Sequence, residues 1–149
     1  MKSGDVEAKC FLVTGGAGFI GSHLVDRLID DGNSVTVYDD LSSGKREFIK
    51  HHLGDNKFTF IEADLIDNEK ITEAIAGHDV VFHIAANPDV RLGPKKPDIA
   101  KKDILATYNL LDAMRKQDVK KIVFSSSSFI YGQTPPVPLP ENYGPVLPI

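Results

Sequence analysis

Three stretches of this chain concentrate residues able to hold or transform a ligand. The first is VTGGAGFIGSHLV, Val13 to Val25, whose glycines fit two overlapping spacings, Gly16-x-Gly18-x-x-Gly21 and Gly15-x-x-Gly18-x-x-Gly21. Between an apolar run and an amphipathic one, such glycines suit a dinucleotide pyrophosphate. Gly15 and Gly16 permit a sharp turn, Gly18 leaves the phosphates a path to the backbone, and Gly21 lets a helix pack closely on the strand before it. The free N–H groups that open the helix then face the negative charge. The second stretch is Tyr38-Asp39-Asp40. A carboxylate about 20 residues past the glycines accepts hydrogen bonds from both adenosine ribose hydroxyls and repels a 2′-phosphate, which predicts NAD rather than NADP. A turn capped by Asp39 is the alternative, and Lys45 and Arg46 pull weakly toward NADP. The third is FSSSSFIYG, Phe124 to Gly132, where an apolar run ends on four hydroxyls. That suits either a solvent-facing turn or one wall of an active site.

Strands alternating with helices are needed to bring these stretches together. Lys9 to Thr14 (KCFLVT) reads as a strand, and Phe19 to Asp31 as a helix carrying Ile20, Leu24, Val25, Leu28 and Ile29 at helical spacing, with Gly32 as its stop. Ser34 to Tyr38, Lys57 to Ile61, Asp79 to Ile84 and Val119 to Phe124 are further strand-length apolar runs. Between them the spacing predicts a brief helix over Lys45 to His52, one over Asn68 to Ala76 ended by Gly77, and a long one over Asp98 to Gln117. The class is therefore α/β: a doubly wound parallel sheet of Rossmann type, three layers deep, ending after its fifth strand. The long helix carries two apolar stripes, Ile104-Tyr108-Leu111 and Leu110-Met114. One can cover the sheet and the other needs a different partner, so the chain reads as cut short. Six of the nine prolines fall between Pro135 and Pro148, which allows neither helix nor inner strand there. The expected division is a tail over 1–8, a dinucleotide-binding domain over 9–132 and a proline-rich segment over 133–149.

Bulk properties exclude several classes. A chain of 149 residues supports one domain with a real core. A net charge of −4 with interspersed signs argues against nucleic acid, and Lys95, Lys96, Lys101 and Lys102 read as a solvated face. With Cys10 as the one cysteine, no intrachain disulfide and no zinc-finger spacing exist, and no metal is expected. No apolar run approaches the ~18 residues of a membrane span, and the N-terminus MKSGDVEAK has no apolar core of its own. A cytoplasmic location is expected.

With TGGAGFIG, YDDLSSGK, EADLID, HIAA and FSSSSFIYG in this order, the chain resembles the extended short-chain dehydrogenase/reductase family over nearly all of residues 9 to 149. Within it, the likeness is to the NAD-dependent nucleotide-sugar epimerases and dehydratases, above all the UDP-galactose 4-epimerases. The resemblance implies NAD as cofactor, a UDP-hexose as substrate, isomerase chemistry at sugar C4, and a homodimer for the intact protein. It also implies that Gly15, Gly18, Phe19, Ile20 and Gly21 surround the pyrophosphate. Asp39 and Asp40 with the Ser43-Gly44 loop hold the adenosine ribose, Asp64 and Leu65 flank the adenine, Ala85 and Ala86 line the path to the nicotinamide ribose, and Ser125 joins the cofactor-binding set. Small residues after a strand also permit close ligand approach on physical grounds alone. His83, on the strand itself, reads as a satisfied core histidine rather than a base.

The resemblance assigns the one catalytic candidate as well. In the epimerases the third serine of Ser-Ser-Ser-x-x-x-Tyr-Gly bonds the sugar oxygen that is oxidised, and here that position is Ser127, four residues before Tyr131. Dehydrating and decarboxylating relatives carry Asp or Glu directly after that hydroxyl; Ser128-Phe129-Ile130 follow here, which favours an epimerase. A dehydratase or reductase of the same family, and a non-catalytic dinucleotide-binding module, are the competing readings. The family's catalytic Tyr-x-x-x-Lys pair is absent: Ser42, Asp112, Pro135 and Leu147 stand four residues after the four tyrosines. Two further departures are Asp103, where relatives usually have asparagine, and Pro88, where galactose epimerases often have lysine.

Overall fold

The computed structural model of the protein describes residues 8–87, 97–132, 134 and 136–144. The first apolar run forms β1 (Cys10–Thr14), followed by α1 (Phe19–Asp30), β2 (Ser34–Asp39), β3 (Phe58–Glu62), α2 (Asn68–Ala74), β4 (Val80–His83), α3 (Pro97–Lys116) and β5 (Ile122–Phe124). All strand pairs are parallel, and the order across the sheet is β3-β2-β1-β4-β5. The sequence thus runs outward from β1 in one direction and then restarts at β4 in the other. That reversal opens a crevice between the carboxyl ends of β1 and β4, where ligands of such sheets bind.

Alternation along β1 sends Leu12 and Val13 to opposite faces, and both are fully buried. Leu12 joins Ile71, Ile75, Leu110, Ala113 and Met114 beneath α2 and α3. Val13 joins Val25, Leu28, Val37 and Ile49 beneath α1. Helices therefore cover both faces, the three layers that the apolar strands required. Asp67 caps α2 by accepting the Lys70 amide at 3.0 Å, and Gly32, at φ +89°, turns the chain out of α1.

Two expected elements differ. The brief helix over Lys45 to His52 is instead two 3₁₀ turns, Arg46–Phe48 and Lys50–His52. The segment has one buried apolar anchor, Ile49, and eight residues do not sustain an α-helix on so little packing. The fifth strand is three residues long rather than six. Asp118 sits at φ +58°, the Val119 amide bonds the Met114 carbonyl at 2.9 Å, and Val119 is spent closing α3 against the core.

The two stripes of α3 separate as their spacing required. Leu110 and Met114 are buried, whereas Ile104, Tyr108 and Leu111 are exposed, as are all three residues of β5. No helix among the described residues is long and apolar enough to cross a membrane. Residues 1–7, 88–96 (among them Pro88, Pro94, Lys95 and Lys96), 133, 135 and 145–149 lie outside the described residues.

Candidate functional site

A cavity of about 710 Å³ occupies the switch-point crevice. Its floor is set by backbone contact. Gly15 sits at φ +71°, and a Cβ there would lie 2.7 Å from the Ala85 amide nitrogen and 2.8 Å from Ala85 Cα. Only glycine lets the turn after β1 and the turn after β4 touch. On the opposite side of the loop a Cβ at Gly16 would meet the Val37 methyls at 2.7 and 2.8 Å.

α1 opens on Gly18 with no side-chain cap. Its first intrahelical bond runs from the Ser22 amide to the Gly18 carbonyl at 3.0 Å. The amides of Phe19, Ile20 and Gly21 therefore begin the helix without intrahelical acceptors, and all three residues line the cavity. An anion of pyrophosphate size fits this donor set and the positive end of the helix.

Asp39 ends β2 beside this turn and is buried. Its Oδ2 accepts the Ala17 amide at 3.0 Å and its Oδ1 the Leu41 amide at 2.8 Å. Burial pushes its pKa up against those two bonds. Asp40 behaves oppositely: burial raises its pKa, but bonds from Ser42 and the Lys102 ammonium outweigh burial and hold it low. The Tyr38 hydroxyl donates to the Asp64 carbonyl at 3.1 Å, which fixes the Asp64-Leu65 backbone at the cavity wall. Burial drives the Tyr38 phenol up to about 12, so it stays a donor.

Of the expected cofactor-binding residues, Gly15, Gly18, Phe19, Ile20, Gly21, Asp39, Asp40, Ser43, Gly44, Asp64, Leu65, Ala85 and Ala86 all line the cavity. Ser125 and Ser127 do not. They follow β5 on the same carboxyl edge, are exposed, and are separated by Ser126 at φ +57°, which turns the chain between them.

Sequence reasoning missed the contribution of α3. Ile99, Lys102, Asp103 and Ala106 line the cavity, and their spacing of three to four residues was the available signal. Lys102 stays about half exposed and is also held in place: its ammonium lies 3.2 Å from Asp40 and 2.8 Å from Asp64, bridging the two acids. Asp103 Oδ1 accepts the Asn87 amide at 3.2 Å, a bond that an asparagine oxygen would make equally well.

His83 is 1% exposed, with both ring nitrogens engaged. Thr107 Oγ1 donates to the Asp103 carbonyl at 3.0 Å, so it accepts from His83 Nε2 at 3.1 Å. The proton therefore sits on Nε2, and Nδ1 accepts from Thr14 Oγ1 at 2.7 Å, which in turn receives the Ala85 amide at 3.4 Å. This chain ties β1, β4 and α3 together beneath the cavity floor, and the neutral ring is a structural brace. Burial lowers the His83 pKa. The folded state therefore protonates below the unfolded value of about 6.5, and the stability His83 contributes is present above that pH and lost as pH falls toward the folded pKa. We expect His83→Leu to lose about 2 kcal/mol at pH 7.5 by urea denaturation. Between pH 7.5 and 5.5 it should lose less stability than the parent; equal pH slopes would refute the neutral-histidine assignment.

The glycine turn, the open helix start and the buried acid at the end of β2 meet at one cavity. Residues 11–148 match the family described as the NAD dependent epimerase/dehydratase family. The chain belongs to that family. The cofactor expected from the glycines and Asp39 is thus the one on which this epimerase/dehydratase family depends. A UDP-glucose 4-epimerase of Mycolicibacterium smegmatis is 41% identical over 135 residues, 88% of this chain and 43% of that protein. One of Klebsiella pneumoniae is 36% identical over 136 residues, 88% of this chain and 98% of that protein. The crystal structure of UDP-glucose 4-epimerase from Brucella ovis in complex with NAD superposes with a TM-score of 0.79 at 32% identity, covering 93% of this chain and 42% of that one. This epimerase/dehydratase chain thus spans less than half the length of the Mycolicibacterium and Brucella proteins.

Proposed function

We propose that this chain is the NAD-holding portion of a nucleotide-sugar 4-epimerase that interconverts UDP-glucose and UDP-galactose. The observation that carries the reading is the crevice between β1 and β4, where a turn that only glycine can make, three helix-start amides and a buried carboxylate converge. The amides of Phe19, Ile20 and Gly21 would hold the pyrophosphate and Asp39 the adenosine ribose. Asp64 and Leu65 would border the adenine, and Ala85 and Ala86 the nicotinamide ribose. When bound, NAD supplies the hydride acceptor and donor that inversion at C4 needs. Ser125 and Ser127, on the same sheet edge, are assigned to the nicotinamide side, with Ser127 orienting the sugar 4-hydroxyl.

The absence of a carboxylate in Ser128-Phe129-Ile130 supports an epimerase over a dehydratase. No tyrosine of the 149 residues is followed four positions later by lysine, so in this reading the chain binds cofactor and does not by itself turn sugar over. Residues 9–132 are assigned to the cofactor domain, with 1–8 and 133–149 flanking it. The exposed stripe Ile104-Tyr108-Leu111 supports a homodimer for the intact protein.

Fluorescence titration of this chain with NADH and with NADPH tests the cofactor assignment. Tight NADH binding, at least tenfold stronger than NADPH, is expected; binding of neither, or a preference for NADPH, refutes it. The sugar assignment is tested separately by coupled assay of the intact protein with UDP-galactose, where UDP-glucose should form without net NADH.

A further inference from the structure

One cluster of chemistry-bearing side chains lies outside the cavity and has no part in it: Asp26 on α1 with His51 and His52 on the second 3₁₀ turn. Nε2 of His51 lies 2.9 Å from Asp26 Oδ1, and Nε2 of His52 lies 2.7 Å from the same oxygen. One donor atom from each of the three residues lies within 4.8 Å of the others. We propose that Asp26, His51 and His52 form a binding site for a divalent transition-metal ion, with zinc as the best fit.

The donor set selects the ion. Two imidazole nitrogens and one carboxylate oxygen suit zinc and its borderline neighbours cobalt and nickel, whereas magnesium and calcium require oxygen cages. Each Nε2 now faces Asp26; an ion takes that nitrogen's lone pair when the ring carries its proton on Nδ1, the displaced proton passing there or to solvent.

Geometry supplies the rest. The His52 side chain is only 11% exposed and packs on Phe58 with ring centroids 5.4 Å apart, while the His51 and His52 rings lie 4.0 Å apart. Both rings are thus oriented before any ion arrives, which lowers the ordering cost of binding. Asp26 and His51 keep 41% and 52% of their side chains exposed, leaving an entry path and space for a water as fourth ligand. With bonds of about 2.0–2.2 Å the donors must stand roughly 3.3 Å apart, so the carboxylate withdraws by about half an ångström and the exposed His51 ring turns to set its nitrogen at the same spacing from His52, both movements open to half-exposed side chains. Once bound, the ion clasps α1 to the connection between β2 and β3, next to the buried Ile49. The cysteine spacing that carried the expectation of no metal could not reveal this site, because its acid lies 25 and 26 residues before its histidines.

Calorimetric titration with zinc, repeated with cobalt under visible absorption, tests the proposal. The chain should bind one equivalent, show d–d absorption of four- or five-coordinate cobalt, and unfold at a higher midpoint with zinc but not with magnesium. His51→Gln removes an exposed ligand without touching the core and should weaken zinc binding at least tenfold while abolishing the midpoint rise; Asp26→Asn should do the same. The exposed Cys10 thiol is present throughout, so the difference between variants isolates the cluster. Less than one equivalent for the parent chain, or equal zinc affinity in His51→Gln, would make the cluster a hydrogen-bonded triad only and overturn the proposal.

Discussion

Asp39→Asn should weaken NADH binding about 100-fold and shrink the preference over NADPH by at least tenfold. Both carboxylate oxygens already accept a backbone amide, from Ala17 at 3.0 Å and Leu41 at 2.8 Å. Each oxygen keeps a second lone pair, so in the proposed reading one side chain both braces the glycine turn and offers acceptors to the ribose hydroxyls. Asparagine has a single acceptor oxygen, and its NH₂ must face either the Ala17 or the Leu41 amide donor to donor. The loss is one charge-assisted bond to the ribose, about 1.5–3 kcal/mol, together with a disturbed turn. At about 1.4 kcal/mol per tenfold, that amounts to roughly two decades. NADPH loses the same contacts but is relieved of repulsion between its 2′-phosphate and the carboxylate, so its affinity falls less. Neighbouring cations do not alter the sign. Arg46 is engaged by Glu62 at 2.6 Å and lies 5.0 Å over the Phe60 ring, and Lys45 lies 6.0 Å over Phe48. Parallel titrations of both nucleotides decide the matter; an unchanged affinity ratio would mean that Asp39 does not read the ribose.

What the sequence made legible divides by the range of the interaction. The glycine turn, the strand before it and the helix after it are local, and their residues carry the signal within some 15 positions, as does the alternation that puts Leu12 and Val13 in different cores. The ion pairs of Lys102 escape such reading because its partners Asp40 and Asp64 lie 62 and 38 positions away and meet it only once the sheet is folded. The strand expected over Val119 to Phe124 lost half its length for a related reason. Apolar spacing cannot distinguish a residue that pairs in the sheet from one, such as Val119, that closes the preceding helix. The serines stand on the expected edge of the sheet, yet a left-handed residue at Ser126 is invisible in a run of four identical residues.

Gly21→Ala should destabilise the chain by about 3 kcal/mol or more and remove measurable NADH binding. A methyl group on Gly21 would fall on the Gly15 carbonyl oxygen, and the Gly16 Cα and Gly15 carbonyl carbon would stand 2.8 and 2.9 Å away. Every obstructing atom is backbone, so no rotamer change relieves the contact; either α1 lifts or the turn after β1 moves. Lifting α1 strains the packing of Val25 and Leu28, which are buried beneath it. Moving the turn separates Gly15 from Ala85 and opens the cavity floor. Both responses displace the Phe19, Ile20 and Gly21 amides, and helix-start donors lose their grip on a phosphate within about an ångström of misplacement. Gly32→Ala provides the contrast. Gly32 sits at φ +89°, and a methyl group there would have nothing within 4 Å. Its cost is the left-handed backbone alone, about 1–2 kcal/mol, and NADH affinity should be unchanged. Urea midpoints and NADH titrations of the two variants separate a contact effect from a conformational one. If Gly21→Ala unfolds at the Gly32→Ala midpoint and still binds NADH, α1 has room to spare, and the close approach of helix to turn is not what organises this site.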